Sequence, residues 1–245
     1  MPAPAPSGPS SVSDMLDAAY RRFKSGALKC LPMMLPAVLA VQAADIYWLL
    51  SGHPITRLFE PRDNTYYMLT LVGLVFFVWL MGAVVLRLNA LKAGQLRPAA
   101  LDLREAASLW PGLFATSMLA SLLVMVGFVL LLLPGIWLSV CLTPLYPVVL
   151  LERLSPVAAI RRCITLVRPH WVKVLAALVI GVLIMLICLF TVGVILAMLT
   201  GAMGAGNTPA GNAVGTTASL LVAALAQLFF MSLALEIYSS ASASA

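Results

Sequence analysis

The chain has 245 residues, of which 62% are hydrophobic and only 10% charged, and its mean hydropathy is +1.03. Because a soluble domain is about 45–50% apolar, this composition excludes an ordinary soluble protein and indicates an integral membrane protein. The net charge is +6. In a membrane protein such charge sets orientation in the bilayer, so we expect no nucleic-acid partner.

The N-terminal residues 1–12, MPAPAPSGPSSV, are rich in Pro, Ala and Ser and predict a disordered tail. A cleaved signal peptide needs basic residues followed by a short apolar run, whereas here the first basic residue is Arg21. We therefore expect this end to be uncleaved. Residues 13–238 are predicted to form a single membrane domain, and residues 239–245 a C-terminal tail.

Six apolar segments approach the roughly 20 residues needed to cross a hydrocarbon core about 30 Å thick. The predicted spans cover residues 30–50, 66–86, 110–133, 136–151, 171–199 and 214–238. The fourth is the shortest, and Pro144 and Pro147 predict a kink in it because each removes a backbone donor. Leu133-Pro134-Gly135 predicts a tight turn between the third and fourth spans, which must then be antiparallel neighbours.

Basic residues are concentrated on one side of these predicted spans. Of the fifteen Lys and Arg residues, all but Arg57 and Arg62 lie before the first span or in the connections after the second and fourth spans. Because positively charged connections stay on the cytoplasmic side, both termini are predicted to be cytoplasmic.

The connection after the fourth span contains a predicted amphipathic helix. Ser155 is a suitable N-cap, Pro156 suits the first helical position, and Pro169 ends the helix. At 100° per residue, its apolar face holds Val157, Ile160, Cys163, Ile164 and Val167, and its polar face holds Arg161, Arg162, Thr165 and Arg168. We predict that it lies in the membrane interface, with the apolar face in the acyl boundary and the Arg face toward anionic headgroups.

The N-terminal segment repeats this pattern. Residues 18–22, AAYRR, match residues 158–162, AAIRR, at four of five positions, and Ser11 and Asp14 match a capping box. A weaker third copy covers residues 98–110. The predicted fold is therefore an all-α bundle of six transmembrane helices with two or three cytoplasmic interfacial helices. These helices are either a threefold repeat of interfacial helix plus hairpin, or independent in origin.

A series of short motifs between residues 133 and 171 has a family likeness. The series is LPGIWL at 133–138, PVVLLE at 147–152, SP at 155–156, AIRR at 159–162 and LVRPHW at 166–171. It resembles the membrane domain attached to some glycerophosphodiester phosphodiesterases, and related uncharacterised six-span bacterial inner-membrane proteins. The family more often has a glycine before the final aromatic residue, where this chain has Arg168-Pro169-His170. Its hydrolase domain has no counterpart here. The resemblance therefore implies a bacterial inner-membrane module concerned with lipids or envelope upkeep, and it does not imply phosphodiesterase activity.

The sequence contains no recognisable arrangement of catalytic or metal-binding side chains, so it predicts no catalytic residue, metal site or cofactor. His53 and His170 have no carboxylate at metal-ligand spacing, and the four cysteines fit no zinc pattern. Asp45 lies beside Tyr47 and Trp48 and is predicted to be solvated at the outer interface.

Four polar residues near or within the spans are predicted to make structural contacts. Glu152 either forms an ion pair or cap at the inner face, or locks the basic helix against the bundle and controls access to it. Glu236 is predicted to lie at the inner interface. Gln42 and Gln227 are deep in the spans and are predicted to hydrogen-bond across helices.

The leading functional hypothesis is a non-enzymatic membrane module that engages anionic lipid, or a partner membrane protein or second copy, through its Arg faces. Contact with a lipid headgroup or partner is predicted for Arg21, Arg22, Lys24, Glu152, Arg153, Arg161, Arg162 and Arg168. A second hypothesis is a flippase-like transporter of a lipid or other amphiphile, with a groove at the kinked fourth span. A third is an intramembrane enzyme, which requires Asp45, His53 or Glu152 to meet a second polar group.

Overall fold

A computed structural model describes residues 11–51, 62–95, 97–202 and 209–242, and all regular structure within those ranges is helical. A single 3-10 turn, Arg168–His170, joins the sixth helix to the seventh. The helices are α1 (Val12–Leu50), α2 (Asn64–Lys92), α3 (Ala99–Leu130), α4 (Leu132–Cys141), α5 (Leu145–Glu152), α6 (Pro156–Val167), α7 (Trp171–Ala202) and α8 (Pro209–Ser242).

Six helical segments in the described part are long and apolar enough to cross a membrane, with α4 and α5 together forming the fourth. This confirms the prediction of an all-α chain with six membrane-length segments. Residues 1–10, 243–245 and His53 lie outside the described residues. The capping box is confirmed at the start of α1, where Ser11 N donates to Asp14 Oδ2 at 3.0 Å and Asp14 N donates to Ser11 Oγ at 3.3 Å.

Two of the three predicted interfacial segments are not separate helices. Residues 13–29 continue without a break into the first span as α1, and residues 99–110 continue in the same way as α3. The prolines within these helices, Pro32, Pro36 and Pro111, do not end them. Only α6 is a separate helix, joined to α7 by the 3-10 turn, and the threefold repeat stays a prediction.

The third and fourth segments form a tight hairpin, but its turn lies earlier than predicted. Leu131 alone separates α3 from α4, with an extended backbone (φ −163°, ψ 143°). Pro134 falls in the first turn of α4, where a missing N–H breaks no helical bond. The two helices approach closely because Gly127 and Gly135 face each other, so that a methyl group at Gly127 would lie 3.1 Å from the Cα of Gly135.

The predicted kink in the fourth segment is confirmed, and the structure shows a full interruption of the helix. α4 ends at Cys141 and α5 begins at Leu145. Because Pro144 has no N–H, the carbonyl of Val140 accepts instead from Thr143 N at 3.3 Å.

The core lies between α1, α2, α3, α5 and α8. Residues 80–86 of α2 are all buried, so this helix is enclosed on every side at that level. At Gly73, a methyl group would overlap the carbonyl oxygen of Ala40 in α1. Helix α7 packs through Val174, Ala177 and Gly181, and the side chains beyond Gly181 are mainly exposed. The predicted cross-helix hydrogen bonds of Gln42 and Gln227 are absent from the described part of the chain.

The α3–α4 tip is apolar. Its side chains are between 65% and 81% exposed, and they belong to Val129, Leu130, Leu131, Leu132 and Leu133. Exposing so many apolar side chains to water is unfavourable by about 1.5–3 kcal/mol each. The tip therefore fits within the bilayer.

We predict that a cysteine placed at Leu131 will resist a membrane-impermeant maleimide in intact cells, after the four native cysteines are replaced by alanine. Ser51→Cys, at the end of α1 on the same side of the bundle, provides the matched control and should react. Rapid labelling of both positions at equal rates would show that the tip is in water.

Candidate functional site: the basic end of the bundle

Among the described residues, five ion pairs lie at one end of the bundle, which we call the basic end. Here the N-terminal parts of α1 and α3 meet the C-terminal parts of α2, α5 and α8, and α6 packs across them. The pairs are Arg22–Glu236, Arg87–Asp102 (3.1 Å), Arg97–Glu105 (3.6 Å), Arg153–Glu105 (3.1 Å) and Arg162–Glu152 (3.1 Å). Three of them join different helices, and Arg153, directly after α5, joins that end of α5 to α3, so much of the basic charge holds the end of the bundle together.

The most enclosed of these pairs joins α2 to α3. The Asp102 side chain is 1% exposed, and its Oδ2 accepts from Arg87 Nη1. Arg87 also donates to the carbonyl of Lys29 at 3.1 Å and to that of Arg97 at 3.2 Å. Sequence analysis did not single out this pair. The sequence feature that could have identified it is that Arg87 is the one charged residue between Asp63 and Lys92, within a strongly apolar helix.

A second, partly buried pair joins the first and last helices, α1 and α8. Arg22 Nη2 donates to Glu236 Oε2, across α1 and α8. Arg22 Nη1 is also buried and finds no hydrogen-bond partner among the described residues. Of the predicted headgroup contacts, Arg22 is therefore held inside the bundle, while its neighbour Arg21 is exposed.

Glu152 links three helices. Its carboxylate accepts from Arg162 Nε of α6 at 3.1 Å and from the Tyr238 hydroxyl of α8 at 3.2 Å. The ion pair predicted for Glu152 thus forms with Arg162, and it connects α6 to the bundle. Arg153, the next residue, adopts a left-handed conformation (φ 51°) that ends α5, and its side chain turns to Glu105.

The apolar face of α6 packs against protein. Ala159, Ile160 and Cys163 are buried in the main core, where the sequence predicted contact with acyl chains. The difference arises because α3, α4, α5 and α8 all reach this helix. Val157, assigned from sequence to the same face, is 54% exposed.

Four of the predicted contact residues are exposed and form no ion pair with any carboxylate in the described part of the chain. They are Arg21, Lys24, Arg161 and Arg168, which we call the free cations. The segments that carry them are neighbours, since Met15 and Ala19 of α1 share a buried cluster with Val167 of α6. Beside Arg168, a surface groove of about 390 Å³ is formed with Ile164, Thr165 and Pro169.

The opposite end of the bundle carries a smaller polar cluster. Asp45 accepts from the Tyr66 hydroxyl at 2.9 Å and from Arg62 Nη1 at 3.4 Å. The Arg62 guanidinium lies over the rings of Tyr66 and Trp48. This arrangement explains how Asp45 is held at the end of α1, and it lies at the opposite end from Glu152. The described residues contain no group of three or more His, Cys, Asp or Glu side chains placed to hold a metal ion.

Comparison with known proteins adds no homologue to this description. No family model, curated protein or solved structure matches the chain. The likeness of residues 133–171 to a phosphodiesterase membrane domain stays a prediction. What the chain does must therefore be inferred from its own geometry.

Proposed function

We propose that this chain is a non-enzymatic, multi-pass module of a bacterial inner membrane that binds anionic lipid headgroups through the free cations of its basic end. The proposal includes cytoplasmic placement of this end and of both termini, which the distribution of Lys and Arg favours. It also includes a role in lipid or envelope homeostasis, in line with the family resemblance of residues 133–171.

One observation carries the proposal, and it is the division of the basic residues into two groups. Arg22, Arg153 and Arg162 neutralise internal carboxylates, whereas Arg161 and Arg168 on the same face of α6 are exposed and unpaired in the described chain. Internal pairing fixes the helix, and the remaining charges face outward. A rigidly held cationic face loses little conformational freedom when it binds a ligand.

Lipid is the favoured occupant because the free cations lie beside apolar surface. Val157 and Trp171 are exposed at the two ends of the α6 segment, and such a combination suits the headgroup boundary of a membrane. Each Lys or Arg near an anionic membrane surface contributes about 1 kcal/mol to binding. Four free cations acting together are then enough to select anionic from neutral lipid.

We predict that replacing Arg21, Lys24, Arg161 and Arg168 together by glutamine will abolish the enrichment of anionic phospholipid around the purified protein. The measurement is mass spectrometry of lipids retained from a mixed bilayer of phosphatidylglycerol and phosphatidylethanolamine. The control variant R21K/R161K/R168K keeps every charge and should retain the enrichment.

Unchanged enrichment in the glutamine variant would overturn the proposal. Loss of enrichment in both variants would also overturn it, because lysine supplies the same charge to a headgroup. A partner protein that co-purifies with the native chain but not with the glutamine variant, while lipid is unaffected, would assign the free cations to protein binding.

A carrier of an amphiphile is the second candidate, and one observation favours it. The interrupted fourth segment borders a lateral groove, as the transport hypothesis requires. That groove is distant from the free cations and has a different chemistry.

A further inference from the structure

A lateral groove of about 420 Å³ opens between α3 and the interruption that separates α4 from α5. Its polar lining consists of Ser117, Ser121, Ser139 and Tyr146, and the rest is apolar. On α3 the groove begins 6 residues from the Leu131 turn and ends 14 residues from it. At 1.5 Å per residue this is a depth of about 9–21 Å, well inside the apolar length of the helix.

Every side chain that lines the groove is uncharged. Ser139 Oγ donates to the carbonyl of Gly135 at 2.8 Å and keeps its lone pairs free to accept. Ser117 Oγ is buried and lies beside the hydroxyl of Tyr146. Ser121 is exposed to the groove and makes no hydrogen bond there. The groove therefore offers hydroxyl donors and acceptors, without a charge, to whatever occupies it.

The helix interruption adds backbone polarity at the same place. Leu142 and Leu145, which flank the break, both line the groove. The backbone of residues 142–144, between the two helices, is not α-helical. At membrane depth, non-helical backbone is tolerated only where protein buries it or where it lines a cavity.

We propose that this groove binds the polar group of a neutral glycerolipid of the diacylglycerol class. Such a lipid presents one hydroxyl and two ester carbonyls, which match the donors and acceptors of Ser121 and Ser139. A phosphate is disfavoured because a charge at this depth is costly, and no cation lines the groove to pair with it. The volume lies within the roughly 300–1,000 Å³ of small-molecule sites, so the groove holds the glycerol region while the acyl chains extend into the bilayer.

The test uses a diacylglycerol that carries a photoactivatable diazirine near its ester group, added to the full chain in nanodiscs. After illumination and proteolysis, mass spectrometry should place the adduct on residues 117–125 or 139–146. Ser121→Phe fills the groove from its open side, and it should lower the yield of this adduct at least tenfold. Ser108→Phe, on the exposed surface of α3 outside the groove, is the matched control and should leave it unchanged.

A phosphatidylglycerol with the same diazirine separates a specific site from ordinary lipid contact. We expect its adduct at these residues to be at least tenfold weaker than that of diacylglycerol at the same concentration. Equal adducts from the two lipids, or an adduct that survives Ser121→Phe, would overturn the assignment. The glutamine variant of the free cations should keep the diacylglycerol adduct, so the two proposals can fail separately.

Discussion

Replacing Gly73 by alanine should lower the thermal stability of the bundle more than any other glycine-to-alanine change in the described spans. The added methyl group would overlap the carbonyl oxygen of Ala40. This atom belongs to the backbone of α1, so relief requires the two helices to move apart. Overpacking of this kind costs about 1–3 kcal/mol, and more where the neighbour cannot move. The expected result is a melting temperature several degrees lower in detergent or nanodiscs, measured by intrinsic fluorescence.

Gly193→Ala is the matched control for this experiment. A methyl group at Gly193 has no neighbouring atom within 4 Å, and alanine favours a helix by about 1 kcal/mol over glycine. Its melting temperature should therefore be unchanged or slightly higher. If both variants lose the same stability, the loss does not come from the contact between α1 and α2. If neither does, the two helices are not as close as the structure shows.

These two glycines show where sequence reasoning reaches its limit. Both Gly73 and Gly193 lie in apolar segments, and the sequence around them does not show which one lies against a neighbouring helix. Only tertiary packing distinguishes them, because α7 leaves the bundle before Gly193 while α2 remains at its centre. A single sequence shows the periodicity of a helix, but it does not show which other helix packs against it.

Local signals, in contrast, were sufficient wherever the chemistry is local. The capping box of Ser11 and Asp14, the Pro156 start of α6 and the interruption at Pro144 each depend on a few adjacent residues. The hairpin between α3 and α4 was also predictable, although its turn lies at Leu131 because a proline in the first helical turn breaks no bond.

The charged residues illustrate the same limit at the candidate site. Arg21 and Arg22 are adjacent and chemically identical, yet one is exposed and the other pairs with Glu236, 214 residues away. The sequence placed both on a lipid-facing surface because amphipathic periodicity records only the direction of a side chain. Whether a carboxylate lies within ion-pair distance of that side chain depends on helices that are distant in the sequence.

The Asp102→Ala variant should destabilise the protein by about 3–5 kcal/mol, the usual cost of leaving a buried charge without its partner. Arg87 would keep its hydrogen bonds to the Lys29 and Arg97 carbonyls but lose the only carboxylate it contacts in the described chain. Because Arg87 touches α1, α2 and the start of α3, the loss should appear as a fall in the stability of the whole bundle. The measurement is the free energy of unfolding in a denaturant titration.

Glu105→Ala removes the same charge from the same helix, three residues further on, and is the matched control. Glu105 pairs with Arg97 and Arg153, whose side chains are 46% and 65% exposed, and exposed pairs of this kind contribute about 0–1 kcal/mol. The double variant R87M/D102L replaces both charges with apolar groups and should recover much of the stability lost in Asp102→Ala. Recovery of stability in the double variant would show that the pair serves to neutralise Arg87. An equal loss of stability in Asp102→Ala and Glu105→Ala would show that burial does not make the Asp102 pair more stabilising than an exposed pair.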